Sequence, residues 1–147
     1  MIQVTDKSLD PQVASTMVRK NTNGAVITFL GTTRGNSDNR RVLYLEYEAY
    51  IPMAVNMLTQ IKESVKTDWD IDDIVIMHRI GRLEIEEISL IVAVASPHRK
   101  EAFEACISIV NQIKETVPIW KKEVFEDGEE WVGCHSQPQI ESEAGQI

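Results

Sequence analysis

The chain has 147 residues, 43% of them hydrophobic and 26% charged, which is typical of one soluble globular domain. No apolar run is long enough to cross a membrane, and the N-terminal residues lack the basic and hydrophobic regions of a signal peptide. The two cysteines, Cys106 and Cys134, form no metal-binding spacing, and nothing in the sequence favours a disulfide. We therefore expect a reducing, cytoplasmic compartment.

The formal net charge of −8 is unevenly distributed along the chain. Residues 123–147 contain seven acidic side chains and no lysine or arginine, whereas residues 1–122 are nearly neutral. This argues against nucleic acid as a partner but leaves room for a small anion in a local basic pocket. We expect a single domain over residues 1–135, followed by a polar, flexible tail over residues 136–147.

The first half of the chain predicts two helices and two strands. Asp10 is the predicted N-cap of the first helix, on which Val13, Met17 and Val18 should face inward. The elements that follow are a buried strand over residues 24–31, a polar mobile loop over residues 32–40, a strand near residues 43–47 and a helix from about Pro52.

The second half predicts more strands and one long helix. The predicted elements are strands over residues 74–80, 83–88 and 89–95, a helix after Ser96-Pro97, and a hairpin over residues 119–132 with its turn at Asp127-Gly128. The apolar face of the helix should comprise Phe103, Cys106, Ile107, Val110 and Ile113. Hairpins and crossovers together indicate an α+β fold.

Lys114 and Lys121 flank the predicted end of the long helix at Pro118. At 100° per residue, Lys114 lies over Phe103 and Ile107, on the predicted apolar face. A desolvated amine has a lowered pKa and suits acid/base or nucleophilic work. The alternative is a lysine whose ammonium reaches solvent at a helix C-terminus, where a cation also suits the helix dipole.

His98 and Arg99 are predicted at the start of the same helix. Helix N-termini favour anions, and two basic residues there add positive charge to a positive end. Either a bound phosphate or carboxylate compensates them, or both side chains point into solvent. Arg34 is a further candidate, because its loop directly follows a predicted strand.

The remaining candidates point away from metal chemistry. His78 shares a predicted strand face with isoleucines, so we expect a core histidine, not a ligand. His135 and Cys134 alone are poor support for zinc, and the sequence contains no P-loop, GxGxxG or nucleophile elbow. We expect no metal and no cofactor. Lysines, arginines and one histidine suit an anionic substrate and proton transfers.

Several segments together resemble the large, catalytic subunit of molybdopterin synthase. The resemblance covers residues 2–135, and the segments occur in that family's order. They are Gly24-Ala-Val-Ile-Thr-Phe-Leu-Gly-Thr-Thr-Arg34, His78-Arg-Ile-Gly81, Ser96-Pro-His-Arg-Lys-Glu-Ala-Phe-Glu-Ala105 and Pro118-Ile-Trp-Lys-Lys-Glu123.

The resemblance implies an α/β-hammerhead-type α+β domain with an additional antiparallel β-hairpin region. It also implies a homodimer in which each chain binds a small ubiquitin-like sulfur-carrier subunit, giving a heterotetramer. The carrier would end in Gly-Gly with a C-terminal thiocarboxylate. Its sulfur would be transferred to cyclic pyranopterin monophosphate, forming the dithiolene of molybdopterin in molybdenum cofactor biosynthesis.

The resemblance also implies roles for individual residues. Lys114 and Lys121 would be the catalytic pair, while Arg34, His98 and Arg99 would bind the substrate. Lys121 would meet the thiocarboxylate and Lys114 would act as acid or base, although the sequence leaves open which lysine performs which step. The tail after residue 131 lacks basic residues and shows no motif of this family.

Two other functions remain open on the residues alone. The first is a Schiff-base lyase that uses one lysine on a phosphorylated substrate. The second is a non-catalytic adaptor that docks a ubiquitin-like protein, which would leave the basic cluster without a role.

Overall fold

The computed structural model describes residues 1–132. The predicted domain boundary at residue 135, the tail over residues 136–147, Cys134 and His135 lie outside the described residues. The elements are β1 (Ile2–Thr5), α1 (Pro11–Val18), β2 (Ala25–Thr32), β3 (Asn36–Ser37), β4 (Arg40–Arg41), β5 (Tyr44–Ala49), α2 (Ile51–Asp68), β6 (Asp73–Arg79), β7 (Gly81–Glu84), β8 (Ile88–Ser96), α3 (Arg99–Thr116), β9 (Ile119–Phe125) and β10 (Gly128–Val132). Among these helices, none has the length and apolar character needed to span a membrane.

The strands form two four-stranded sheets and a short ribbon. Sheet I has the order β1-β6-β8-β2, sheet II has the order β10-β9-β5-β7, and β3 pairs with β4. Only the β1–β6 pair is parallel among the described strands. Helices pack on a mainly antiparallel sheet, and a hairpin of β9 and β10 follows α3. The predicted α+β class, with its antiparallel hairpin region, is confirmed.

Sheet I lies between helices, because both of its faces are apolar. Leu90, Val92 and Val94 of β8 pack against α2 and α3. The alternating residues Ile91 and Ala93 pack against α1 on the opposite face. The near-continuous apolar run of β8 in the sequence reflects this burial on both sides. One end of sheet II packs against the α2–α3 side through Ile119, Tyr47 and Ala49.

The prediction for the inward face of α1 is wrong at two of its three positions. Val13 and Met17 are 47% and 43% exposed, whereas Ala14 and Val18 are fully buried. Ala14 and Val18 are four residues apart and therefore lie on one face of the helix. Alanine allows close approach to sheet I, so the smaller side chain occupies the contact. The predicted N-cap is confirmed, since Asp10 Oδ1 accepts a hydrogen bond from the Gln12 backbone N–H at 2.9 Å.

The predicted apolar face of α3 is also partly wrong. Phe103 and Ile107 are 53% and 61% exposed in this chain. The residues that face the core are Ala102, Ala105, Cys106, Ile109 and Ile113. Lys114 does share a helix face with Phe103 and Ile107, but that face points into solvent. The small residues at positions 102, 105 and 106 let the helix pack closely on the sheet and so determine which face is buried.

The strand predicted over residues 24–31 exists as β2, but it is an edge strand and only half-buried. Among the strands of residues 1–132 it pairs only with β8, and Leu30 is 40% exposed. The polar loop after it contains the β3–β4 hairpin, with positive φ angles of 49° at Asp38 and 62° at Asn39. Asp and Asn tolerate this left-handed region better than most residues, so they suit the two-residue turn.

Candidate functional site

A cavity of about 290 Å³ lies between the two sheets, beside the C-terminal end of α3. Its lining includes Tyr47, His78, Ser89, Lys114 and Lys121. A second cavity of about 150 Å³ shares four of these residues, Tyr47, Ser89, Lys114 and Lys121, and adds Arg34 and Glu123. We refer to the two together as the lysine pocket. Concave sites with apolar walls and a few convergent polar groups are typical of ligand binding.

Lys121 enters the lysine pocket because of strand alternation on β9. Lys121 pairs with Tyr47 in the β5–β9 register, while the next residue, Lys122, pairs with Glu46. Lys122 points to the opposite face, where its Nζ lies 2.7 Å from Glu46 and 3.2 Å from Glu129. Two adjacent lysines therefore have different surroundings, and only Lys121 faces the cavity.

Burial lowers the pKa of the Lys121 amine. The carboxylate of Glu123 opposes this shift, and the positive charges of Lys114 and Arg34 add to it. Within residues 1–132, no carboxylate forms an ion pair with Lys121. At physiological pH, Lys121 is therefore deprotonated for a larger fraction of the time than an ordinary surface lysine.

Lys114 lies in the last turns of α3 and reaches the same pocket from its exposed rim. Of the two alternatives for Lys114, the structure favours a lysine that reaches solvent near the helix C-terminus, because its face of α3 is exposed. Burial falls instead on Lys121. The predicted helix end is confirmed, since α3 stops at Thr116 before Pro118. The chain then turns into β9, which brings Lys121 back toward Lys114.

Arg34 follows β2 and lines the smaller cavity with both lysines. Its charge is close enough to contribute to the lowered pKa of Lys121. Three of the five predicted site residues, Arg34, Lys114 and Lys121, therefore converge in one pocket. Arg34 lies in the loop after β2, Lys114 near the end of α3, and Lys121 on β9 just beyond the break at Pro118.

His98 and Arg99 lie at the opposite end of α3. Arg99 and Lys114 are fifteen positions apart, which places their backbones about 22 Å apart along the helix axis. Both side chains are exposed and line neither cavity of the lysine pocket. His98 is the N-cap, and its backbone N–H donates to Ser96 Oγ at 3.3 Å. Within one chain, this basic pair does not join the other three residues.

Glu123 is a site residue that the sequence interpretation missed. It is 6% exposed, and its Oε2 has no hydrogen-bond partner within residues 1–132. It lies two positions after Lys121 on the same face of β9, next to the lysine. The signal was available in the strand alternation, because residues 121 and 123 share a face once β9 is assigned. A buried carboxylate beside two lysines and an arginine makes the pocket strongly polar.

His78 is the buried core histidine that its strand pattern predicts, with 5% exposure. Its pKa is lowered to about 4, mainly by burial and to a smaller extent by the charge of Lys114, while a backbone hydrogen bond with Arg79 opposes the shift. Nδ1 lies 2.8 Å from the carbonyl oxygen of Arg79, so Nδ1 carries the hydrogen. The sequence did not indicate that this neutral ring also lines the lysine pocket.

Residues 4–116 match the MoaE protein family. The chain is 45% identical over 131 residues to the molybdopterin synthase catalytic subunit of Bacillus subtilis (strain 168), covering 89% of this chain and 83% of that protein. The fold resembles the crystal structure of molybdopterin synthase from Staphylococcus aureus, with a TM-score of 0.85 and 40% identity over 88% of this chain and 95% of that one.

A more distant structure shares the fold alone. It is the complex of subunits 1 and 2 of the molybdopterin-converting factor from Helicobacter pylori 26695. The TM-score is 0.76 at 19% identity, covering 93% of each chain.

Proposed function

The chain belongs to the MoaE protein family, and from this we propose how its lysine pocket works. The chain is an enzyme of molybdenum cofactor biosynthesis with molybdopterin synthase activity. In our proposal, sulfur passes from the C-terminal thiocarboxylate of a small ubiquitin-like subunit to cyclic pyranopterin monophosphate, forming the dithiolene. The observation that carries this proposal is the convergence of Arg34, Lys114 and the buried Lys121 in one pocket.

The cations of the pocket suit a thiocarboxylate, which carries a negative charge. Lys121 is the buried amine, so in our proposal it meets the thiocarboxylate and performs the nucleophilic or proton-transfer step. Lys114, at the exposed rim, exchanges protons with solvent and serves as the acid or base. The difference in burial therefore supports the division of roles between the two lysines.

Glu123 balances these positive charges in the proposed mechanism. A carboxylate next to Lys121 favours the protonated amine, while burial favours the neutral amine. The two effects oppose each other and keep both protonation states within reach, which a proton-transfer group requires. No metal and no cofactor enters this proposal.

Binding of the substrate phosphate is the proposed role of Arg34, His98 and Arg99. Because about 22 Å of helix separates Arg99 from Lys114, one chain cannot place all these residues around one small substrate. We propose that a second copy of the chain supplies His98 and Arg99 to the pocket. The homodimer is then a requirement of the site, and exposed apolar side chains such as Phe103 and Ile107 are available to pack in it.

The small sulfur-carrier subunit is the proposed second partner, giving a heterotetramer. Support comes from the complex of two subunits seen in the Helicobacter pylori structure that shares this fold. The C-terminus of the small sulfur-carrier subunit would reach the cavity between the two sheets. The proposed compartment is the cytoplasm, and the proposed domain ends near residue 135.

The test is to incubate the chain with thiocarboxylated small subunit and cyclic pyranopterin monophosphate, and to assay molybdopterin. The wild-type chain should form product, and Lys121→Ala should not. Lys122→Ala is the matched control, because this neighbouring lysine faces away from the pocket. Absence of product from the wild-type chain would contradict the proposal. Binding of the carrier without product would favour the adaptor, and borohydride trapping of a simple carbonyl substrate would favour the Schiff-base lyase.

A further inference from the structure

Three polar side chains of the lysine pocket have no part in the mechanism described so far. They are Tyr47 of β5, His78 of β6 and Ser89 of β8. They come from both sheets and meet beside Lys121. Polar groups buried in a pocket are usually hydrogen-bonded. The hydrogen-bond partners of these three side chains therefore indicate how each side chain is oriented in the pocket.

A β-bulge turns Ser89 into the pocket. In the β2–β8 register Gly31 pairs with Leu90, but Thr32 pairs with Ile88, so Ser89 is an extra residue on β8. Regular alternation would point Ser89 to the same face as Ile91, toward α1. Instead Ser89 and its neighbour Leu90 both line the cavity. Bulges of this kind redirect a side chain and occur often next to functional sites.

Tyr47 stands directly opposite Lys121 across the β5–β9 pair, on the same face of sheet II. Side chains at directly opposite positions are in contact range of each other. The hydroxyl of Tyr47 interacts with that of Ser89, and its ring meets the His78 ring edge-on, with centroids 5.1 Å apart and an angle of 70°. The ring of Tyr47 is therefore fixed on two sides.

The hydrogen-bond directions follow from the available hydrogens. The Ser89 hydroxyl has one hydrogen and donates it to the carbonyl oxygen of Gly31 at 3.2 Å. The lone pairs of the Ser89 oxygen remain available toward Tyr47, so the Tyr47 hydroxyl can donate to Ser89. The remaining lone pairs of the Tyr47 oxygen are left to accept a hydrogen bond from the pocket, where the amine of Lys121 is the cross-strand neighbour.

We propose that Tyr47 is a positioning residue: its oxygen accepts a hydrogen bond from Lys121 and holds the amine at the reacting thiocarboxylate, with Ser89 fixing the direction of the hydroxyl. This inference rests on the proposed function of the lysine pocket. Burial raises the pKa of Tyr47, so the hydroxyl stays neutral and protonated at physiological pH. A neutral acceptor can orient the amine without the full charge that a second carboxylate would add.

Other groups that face Lys121 set the background for the test. They are Glu123 on the same strand, Lys114 on α3, Arg34 after β2 and the neutral ring of His78 on β6. An acceptor at Tyr47 stabilises the ammonium form, as Glu123 does. Removal of the hydroxyl should therefore lower the pKa of Lys121 further.

The experiment compares Tyr47→Phe with Tyr44→Phe. Phenylalanine keeps the ring and removes only the hydroxyl. Tyr44 is the matched control, because it lies on the same strand but lines neither cavity and stacks under the guanidinium of Arg82 at 3.7 Å. Two quantities are measured: the pKa of Lys121 by NMR titration of ¹³C-labelled lysine, and kcat and KM for sulfur transfer as functions of pH.

In Tyr47→Phe, the Lys121 pKa should fall and the pH-dependent limb of kcat should move to lower pH. The plateau of kcat should drop about tenfold or more, with KM for the carrier unchanged. Ser89→Ala should change both quantities in the same direction by less, and Tyr44→Phe should change neither. An unchanged Lys121 pKa would overturn the proposed hydrogen bond, and a shifted pKa with unchanged kcat would overturn the positioning role. The titration needs no turnover, so an inactive wild-type chain would refute the proposed function without deciding this contact.

Discussion

The contrast between Lys121 and Lys122 is the sharpest test at the scale of single residues. Lys121→Ala should reduce product formation by about 10²–10⁴-fold, the usual loss for a positioned acid or base. Lys121→Arg should not restore activity, because guanidinium stays protonated and is larger and planar. Carrier binding should survive, since affinity is spread over an interface. The measurement is the single-turnover rate with saturating carrier.

Lys122→Ala should retain near wild-type turnover, because its ion pairs with Glu46 and Glu129 lie on the opposite face of β9. Equal losses in the Lys121 and Lys122 variants would mean that strand disruption, not lost chemistry, explains the effect. Lys114→Ala should also reduce turnover strongly without unfolding the chain.

His78 should make the stability of the fold depend on pH. Its pKa in the folded chain is about 4, below the ordinary 6.5, because the ring is buried. Between these values the unfolded chain binds a proton that the folded chain does not. Stability is therefore full above about pH 6.5 and falls toward pH 4, by up to about 1.4 kcal/mol per pH unit from this residue.

Urea unfolding at several pH values checks this expectation. His78→Gln should flatten the slope between pH 6.5 and pH 4, whatever its effect on stability at neutral pH. His98→Gln is the control, because it replaces an exposed histidine and leaves His78 in place. A wild-type slope in His78→Gln would contradict the assignment.

Cys106 should be a core residue and not a sulfur donor. Its free thiol is buried, and burial raises its pKa to about 11. A reactive thiol needs the opposite, an electropositive and partly exposed setting. The variant with Cys106→Ala and Cys134→Ala should still form molybdopterin and lose about 1 kcal/mol of stability to the cavity at position 106. A folded double variant without activity would overturn this role for the thiols.

At the scale of elements, Arg40 attaches the β3–β4 hairpin to the β9–β10 turn. Its guanidinium donates to Asp127 at 2.9 Å and Glu130 at 2.8 Å, and lies 3.8 Å above the Phe125 ring. The loop with Arg34 leads into this hairpin. Arg40→Ala should speed amide hydrogen exchange over residues 36–41 and raise KM for the cyclic pterin, because Arg34 loses its support.

Arg41→Ala is the control for this prediction. Arg41 follows Arg40 on the same strand, but its only ion pair within residues 1–132 is with the exposed Glu126, whose carboxylate lies 3.9 Å from the guanidinium. Such pairs contribute little. Hydrogen exchange and KM should match those of the wild-type chain. Similar effects of both substitutions would show that general surface charge, and not the anchor at Arg40, matters.

Elements with strong local signals were predicted well from sequence. The helix end before Pro118 is confirmed, because proline restricts the backbone locally. The hairpin over residues 119–132 is also confirmed, but its turn residues are Glu126 and Asp127, one position earlier than predicted, and Gly128 begins β10 with a positive φ of 149°. The inward face of α1 and the buried face of α3 were not predicted well, because they depend on which surface of the partner sheet each helix meets. The edge position of β2 likewise depends on the strand order, which no local pattern encodes.

At the scale of the whole molecule, only about half of the residues that line the candidate site could be predicted from the sequence. The resemblance gave Arg34, Lys114 and Lys121, and the structure brings these three together. The resemblance did not give Glu123, Tyr47 or Ser89 as site residues, because their positions depend on strand register and on one bulge. Strand register depends on pairing between segments that are distant in sequence. These residues could therefore be assigned to the site only from the three-dimensional structure of the two sheets.

His98 and Arg99 lead to the last prediction, which concerns the dimer. If a second copy supplies them to the lysine pocket, the functional unit contains residues from two chains. A chain with Lys121→Ala lacks the catalytic amine, and a chain with His98→Ala and Arg99→Ala lacks the proposed phosphate ligands. Each variant should be inactive or nearly so by itself. In a mixed dimer, however, one pocket contains an intact Lys121 together with an intact His98 and Arg99.

Mixing equal amounts of the two variants, with unfolding and refolding to exchange chains, should therefore restore activity. Half of the dimers should be mixed and each should have one intact pocket, which gives about one quarter of wild-type activity for a closed two-fold dimer. Light scattering should first show a mass of two chains, and activity is then measured per chain. If both sets of residues acted in the same chain, every pocket in the mixture would lack one set. Activity would then stay at the level of the separate variants, and the shared pocket would be wrong.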